Sequence, residues 1–332
     1  MYSNIRFSSL YFSIYFSSPA DAEPQYYNKY PDATVPRTPA YNAQVPNTHW
    51  LQDVQAVYGL DSNSEQFVDL VYRRRVQTLA TVDDMIETVV QKITDLGLLD
   101  NTYFVYSSDN GYHVGYYGFI YDKRQPWETD VHLPLFIRGP GITPNTVTEA
   151  IVTMPDLSAT FLDIAGIPIP SQFDGASVLP YAKASSNSNS APPVSRQMTL
   201  VEYHGETADG GDGPACARTQ NSTLFCNSDG TYNVPPYFNG SAVCVCQDAA
   251  NNTYNCIRVH NTTSNFRYCE FADDVNTVEY FDYLSDPNEL TNLAPTMNSN
   301  LKQALHTTLN KATVCVGTTA CNAVLNSIIY VT

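Results

Sequence analysis

All eight cysteines of this chain, Cys216, Cys226, Cys244, Cys246, Cys256, Cys269, Cys315 and Cys321, fall in its C-terminal part, from residue 216 onward. An even number crowded into one region, without the paired C-x2-C spacing of a zinc site, reads as a disulfide framework made in an oxidising compartment. Four N-x-[ST] sequons lie among the same cysteines, at Asn221, Asn239, Asn251 and Asn261. They are the expected glycosylation sites, and they point independently to the secretory pathway.

The chain has 332 residues, 43% of them apolar and 15% charged. That is material for one large or two modest domains with a real core. It excludes collagen, a heptad coiled coil and global disorder. No run approaches the roughly 20 apolar residues of a membrane span. Against 33 Asp and Glu stand only 17 Lys and Arg, a net charge of −16, which argues against general nucleic-acid binding. At the N-terminus, Phe7 to Phe16 lies between Arg6 and a cleavage-like Ala20-Asp21-Ala22. Ser8, Ser9 and Ser13 interrupt it, and the alternation of Leu10, Phe12, Ile14 and Phe16 predicts a strand rather than a signal helix. The chain then starts inside a domain.

Residues 17–60, rich in Pro, Tyr and Asn, read as an irregular connection lying on a larger body. Ser62-Asn63-Ser64-Glu65 is a capping box opening a helix. In that helix Leu79, Val82, Ile86, Val89, Ile93 and Leu96 share one face, which the spacing predicts to be buried. A second start at Thr81 divides the stretch in two, and Gly97 ends it. Arg73, Arg74 and Arg75 point around the cylinder, so one buried pair and two solvated heads are expected. Thr102 to Tyr106 predicts a fully buried strand of a parallel sheet, Pro134 to Arg138 another strand, and Asp156 to Ala165 a helix closed by Gly166. The pattern is doubly wound α/β. Ala184 to Pro193 is a low-complexity linker. Beyond it, Thr199 to Tyr203, Ala242 to Cys246, Tyr254 to Val259 and Val278 to Tyr283 predict a small antiparallel sheet, followed by a helix over Asn300 to Asn310.

The chemistry is concentrated after the strand at 102–106. In open parallel sheets ligands gather beyond the carboxyl ends of strands. Asp109 and Asn110 there offer hard oxygen donors suited to Ca²⁺, and Gly111 permits a sharp turn. Lys123 is a compact charge able to face a tetrahedral anion, and Arg124 can grip one bidentately. Glu202, Tyr203 and His204 end a predicted strand within reach of a sugar pocket. His49-Trp50 reads as a packing pair, and His132 as half-exposed.

Residues 98–141 (LLDNTYFVYSSDNGYHVGYYGFIYDKRQPWETDVHLPLFIRGPG) closely resemble the type I sulfatases of the N-acetylglucosamine-6-sulfatase branch. RRRVQTLATVDD at 73–84, DGASVLP at 174–180, VEYHGE at 201–206, RYCEF at 267–271 and SDPNELTNLA at 285–294 extend the likeness over most of the chain. The resemblance implies an alkaline-phosphatase-like sheet with helices on both faces. On it, residues 1–183 form the latter part of a catalytic domain, 184–196 a linker and 197–332 a disulfide-rich subdomain. It also implies a lysosomal or extracellular hydrolase that removes 6-O-sulfate from glucosamine units of glycosaminoglycans. Asp109 and Asn110 would then bind one Ca²⁺ and Lys123 would contact the sulfate, with His113, Arg124, Glu202 and Tyr203 as substrate contacts.

The departures are equally specific. Formylglycine, the family's nucleophile, is made from Cys or Ser in C/S-x-P/A-x-R, and none of the 332 residues fits that pattern. The paired aspartates of the family's first strand are also missing, and Ser17 stands where its proton-donating His is expected. Such a chain resembles the latter half of a sulfatase. Without an activated nucleophile it is expected to be inactive alone. The alternative is a secreted glycoprotein that binds the glycan without turnover.

Overall fold

The periodic stretch from residue 62 folds as one unbroken helix, α1 (Ser62–Asp95), with no division at Thr81. Its cap is Asp61, one residue ahead of the expected serine. The Asp61 carboxylate accepts the Ser64 N–H at 2.7 Å, a stronger acceptor for that orphan donor than a hydroxyl. Phe67, Val68 and Val71 pack with Val35, Leu60, Val114 and Ile120. The expected apolar face is buried only at Val82, whereas Leu79, Ile86 and Leu96 are 52%, 39% and 56% exposed. Amphipathic spacing creates such a face but does not supply its partner. The three arginines are held variously. Arg73 and Arg74 donate to the carbonyls of Ala33 and Tyr27, and the Arg75 guanidinium lies 3.8 Å over the Tyr112 ring.

The computed structural model describes residues 22–53, 59–183, 196–205, 248–261 and 263–325. The expected N-terminal strand, the 184–193 linker, the 242–246 strand, Asn221, Asn239 and the first four cysteines lie outside those residues. The segment before α1 is irregular as expected, apart from a 3-10 turn at Pro24–Tyr26 and a helical turn beginning at residue 50.

Strand β1 (Phe104–Tyr106) pairs with β4 (Phe136–Arg138), Val105 facing Ile137. The pairing is antiparallel and the strands are half-buried, with Phe136 66% exposed, instead of the parallel, fully buried arrangement expected. Among the described residues each strand has only the other as a hydrogen-bonded neighbour. A two-stranded ribbon cannot bury both faces. Between them, β2 (His113–Val114) and β3 (Tyr121–Asp122) form a hairpin, followed by the short helix α2 (Glu128–Val131). Helix α3 (Met154–Ile164) starts two residues earlier than predicted. Thr153 and Asp156 cap it reciprocally, and Gly166 follows its end at φ +67°.

Among the described residues from 198 onward stands a four-stranded antiparallel sheet in the order β5 (Met198–Tyr203), β6 (Tyr254–His260), β7 (Asn265–Phe271), β8 (Val278–Asp282). Cys256 and Cys269 stand directly opposite on β6 and β7 and are disulfide-bonded. Helix α4 (Ser299–Ala312) covers the sheet with Leu305 and Leu309 against Met198, Ile257, Phe266 and Tyr268. A second disulfide, Cys315–Cys321, links the residues after α4 to α5 (Thr318–Leu325).

The sheet is fused to the rest of the chain through a shared core. Phe281 of β8 packs with Trp50, Leu51, Tyr117, Phe119 and Trp127. Charges cross the same seam. Buried Arg267 donates to Glu289 and Glu279 at 3.0 Å each. Those carboxylates in turn accept the backbone N–H groups of Glu128 (3.2 Å) and His49 (3.0 Å). His49 and Trp50 are packing residues, as expected. His49 stacks on Phe271 at 4.6 Å, and the Trp50 Nε1–H donates to Asn251 Oδ1. Among the described residues no helix is long and apolar enough to cross a membrane.

Candidate anion-binding site

The β2–β3 hairpin sets His113 opposite Asp122 and so carries the 108–113 loop beside Lys123. Asp130, 4% exposed, fixes both segments at once. Its carbonyl accepts Gly111 N at 2.8 Å, and its Oδ2 accepts Gln125 N at 2.9 Å. Tyr112 N donates to the neighbouring Thr129 carbonyl, also at 2.8 Å. A Cβ on Gly111 would fall 2.0 Å from that Thr129 oxygen. The glycine is therefore required by close backbone approach and not by a sharp turn.

His113, expected to touch substrate, is fully buried. Its Nδ1 sits 2.9 Å from Asp130 Oδ2, and its ring meets Phe119 and Trp127 edge-on at 5.4 and 5.1 Å. Burial of a polar ring requires such a partner. Here it anchors the loop to Asp130 instead of facing solvent. Asp109 is exposed, with Oδ1 3.1 Å from Asn110 N. Asn110 donates its amide nitrogen to the Gly111 carbonyl at 2.7 Å, which leaves the amide oxygen out of that bond. The two residues present oxygen donors of the kind a hard cation takes, but only part of the about six to eight such an ion wants. Among the described residues no group of three or more His, Cys, Asp or Glu is placed to hold a metal ion.

Lys123 is exposed and makes no ion pair among the described residues. Arg124 is engaged differently. Its Nη1 donates to Asp122 Oδ2 at 3.0 Å, and its Nε lies 3.9 Å from Asp248 Oδ2. Burial pushes the Asp122 carboxyl up, against the opposing pull of His113 and Arg124. The structure thus brings Arg124 together with Tyr203, whose hydroxyl donates to the same Asp248 oxygen at 2.7 Å. Asn252 completes the cluster by donating to Asp248 Oδ1 (3.0 Å) and to the Arg124 carbonyl (3.2 Å). Tyr254 OH reaches that carbonyl as well, at 3.3 Å. Glu202 does not join. Strand alternation sends it to the opposite face of β5 from Tyr203, and it is exposed.

Sequence reasoning missed Asp130, Asp248 and Asn252. Asp130 carried a weak signal as an acidic residue within the 98–141 motif, whereas Asp248 and Asn252 carried none. It also missed Glu128, whose Oε1 accepts the Arg258 Nε–H at 2.6 Å. Burial pushes the Glu128 carboxyl up, but hydrogen bonds from His132 and Arg258 outweigh it and bring it down to about 2. His132 itself is more exposed than expected, its side chain 77% accessible. Of the two sequons described, Asn261 accepts three hydrogen bonds from Thr263 and Ser264 within its own turn, and Asn251 accepts that of Trp50.

On this mixed α/β frame, an exposed lysine thus follows the hairpin that Asp130 ties to the glycine-tight acid–amide loop. Residues 11–167 match the Sulfatase family model and carry a domain of that family. The chain is 38% identical over 303 residues to N-acetylglucosamine-6-sulfatase from Homo sapiens, covering 91% of this chain and 51% of that protein. It is 39% identical to the enzyme of the same name from Bos taurus, with 91% and 50% covered. The chain spans about half the length of these curated relatives. A solved structure in complex with its substrate D-glucosamine-2-N,6-O-disulfate superposes with a TM-score of 0.53 at 24% identity, covering 74% of this chain and 40% of that one. A phosphonate monoester hydrolase from Silicibacter pomeroyi gives 0.53 at 20% identity, with 83% and 47% covered. These likenesses show the fold alone, an alkaline-phosphatase-like one.

Proposed function

We propose that this chain recognises the 6-O-sulfate of glucosamine units in glycosaminoglycans, as part of a sulfuric ester hydrolase of the N-acetylglucosamine-6-sulfatase type. The observation that carries the reading is the exposed Lys123, which makes no ion pair among the described residues and follows the hairpin that Asp130 ties to the 108–113 loop. A lysine in this position stabilises an anion electrostatically and attacks nothing. Arg124 pairs with Asp122 and lies near Asp248, and Tyr203, bonded to the same Asp248 oxygen, would contact the sugar. Asp109 and Asn110 would hold one Ca²⁺ with further oxygen donors, and the ion would supply positive charge to the sulfate oxygens. The sequence offers no Cys or Ser in the formylglycine pattern, so these 332 residues bind without turning over. The sequons and disulfides support maturation in the secretory pathway and residence in the lysosome or outside the cell.

Isothermal titration with N-acetylglucosamine-6-sulfate and with its unsulfated parent, in Ca²⁺, tests the proposal. The sulfated sugar should bind at least tenfold more tightly, and Lys123→Ala should erase the difference. Sulfate release should stay at background. Equal affinity for the two sugars would refute the reading. Release of sulfate at an enzymatic rate would refute the non-catalytic assignment alone.

A further inference from the structure

We propose that Asp248 is a positioning residue for the sulfate-facing lysine, acting through Asn252 and Tyr203. The proposal rests on the reading of Lys123 given above and extends it to a residue outside that reading. Asp248 is 2% exposed, and its carboxylate gathers groups from three separate segments. Tyr203 at the end of β5 donates to Oδ2 at 2.7 Å, and Asn252 donates to Oδ1 at 3.0 Å. The Arg124 Nε lies 3.9 Å away.

The geometry has a direction. A primary amide has two N–H donors, and Asn252 uses them on different acceptors, the Asp248 carboxylate and the Arg124 carbonyl. Asp248 fixes the amide plane with a charge-assisted bond, and the amide then fixes the carbonyl of Arg124, the residue after Lys123. The same carboxylate draws the Arg124 side chain toward Tyr203. The backbone and the side chain of Arg124 are thus both tied to the Asp248 carboxylate, which fixes where its neighbour, Lys123, leaves the chain. Asn252 is fully buried and Arg124 half-buried, so water competes poorly for these bonds. Asp248 is itself nearly fully buried among these groups. Its effect passes through other side chains.

Two measurements on the intact chain decide the matter. The first needs no sugar: hydrogen exchange of the Asn252 side-chain amide, followed by ¹⁵N NMR. Asp248→Ala should speed it about tenfold, and Asp248→Asn, which keeps an acceptor oxygen, should fall between. An unchanged rate in Asp248→Ala would overturn the proposal, and if that variant does not fold, an unchanged rate in Asp248→Asn does so. The second is the affinity ratio for N-acetylglucosamine-6-sulfate over N-acetylglucosamine. Asp248→Ala should lower it about tenfold with partial rescue in Asp248→Asn, and Tyr203→Phe added to Asp248→Ala should cost nothing more. Independent, multiplying losses would overturn the proposed route. A wild-type chain that shows no sulfate preference removes the reading of Lys123, while the exchange measurement still judges Asp248.

Discussion

The β5–β8 sheet and the ribbon β1–β4 with the C-terminal half of α1 are built from equally apolar sequence, yet they end differently. In the sheet, Ile257 and Tyr268 are wholly buried beneath α4, Cys269 is wholly buried on the other face, and the disulfide Cys256–Cys269 ties adjacent strands. In the ribbon and helix, Leu79, Leu96 and Phe136 are more than half exposed. The contrast teaches that an apolar periodicity specifies a face, while burial depends on a second surface complementary to it. The candidate site lies where the two regimes meet. Lys123 is carried by the hairpin between β1 and β4, and Tyr203 and Asp248 belong to the sheet side.

If the comparison is right, damage to the sheet side costs far more than damage to the ribbon side. Arg267→Ala should have the largest effect, because it strands the buried Glu279 and Glu289 without their cation. A loss of about 3 to 5 kcal/mol in urea unfolding is expected. Removing the Cys256–Cys269 disulfide with a double alanine variant should cost about 3 kcal/mol for a loop of this size, read by the same transition.

Acid should come next. The folded-state value of Glu128 lies below its unfolded one, so its contribution is present above about pH 4.3 and lost as pH falls toward about 2. The His132 value is raised by its bond to Glu128, so its contribution is present below about pH 6.5 and lost as pH rises through the raised value. Melting temperature against pH should therefore fall on the acid side in wild type, and Glu128→Gln should flatten that limb. His132→Ala should do less, since its ring is 77% exposed. On the ribbon side, Leu96→Ser and Phe136→Ser should move stability by no more than about 0.5 kcal/mol while lowering binding of a hydrophobic dye. A dye signal that survives both substitutions would remove the contrast.

Much of this architecture was legible in the residues, for identifiable reasons. Thr153 and Asp156, Gly166, and the run from Met198 to Tyr203 carry local signals that act within a few positions, and each marks its element to within two residues. Strand β7 was not legible as a strand, because buried Arg267 interrupts its alternation and its compensating carboxylates lie 12 and 22 positions away. The exposed face of α1 was misread because spacing reports amphipathicity and says nothing of what covers it. At the candidate site, Asp109, Asn110 and Lys123 were singled out by their motif alone. His113 looked like a contact residue because its burial depends on Phe119, Trp127 and Asp130 folding around it. Asp248 could not be found, since its partners Arg124 and Tyr203 are 124 and 45 residues distant and meet only in the fold.

The most direct test of the account is an NMR titration of the ¹⁵N-labelled chain with N-acetylglucosamine-6-sulfate and then with the unsulfated sugar. The account predicts sulfate-dependent shifts confined to the amides of Asp109, Asn110, Lys123, Arg124 and Tyr203. Shifts of equal size with the unsulfated sugar, or shifts confined to other segments, would contradict it.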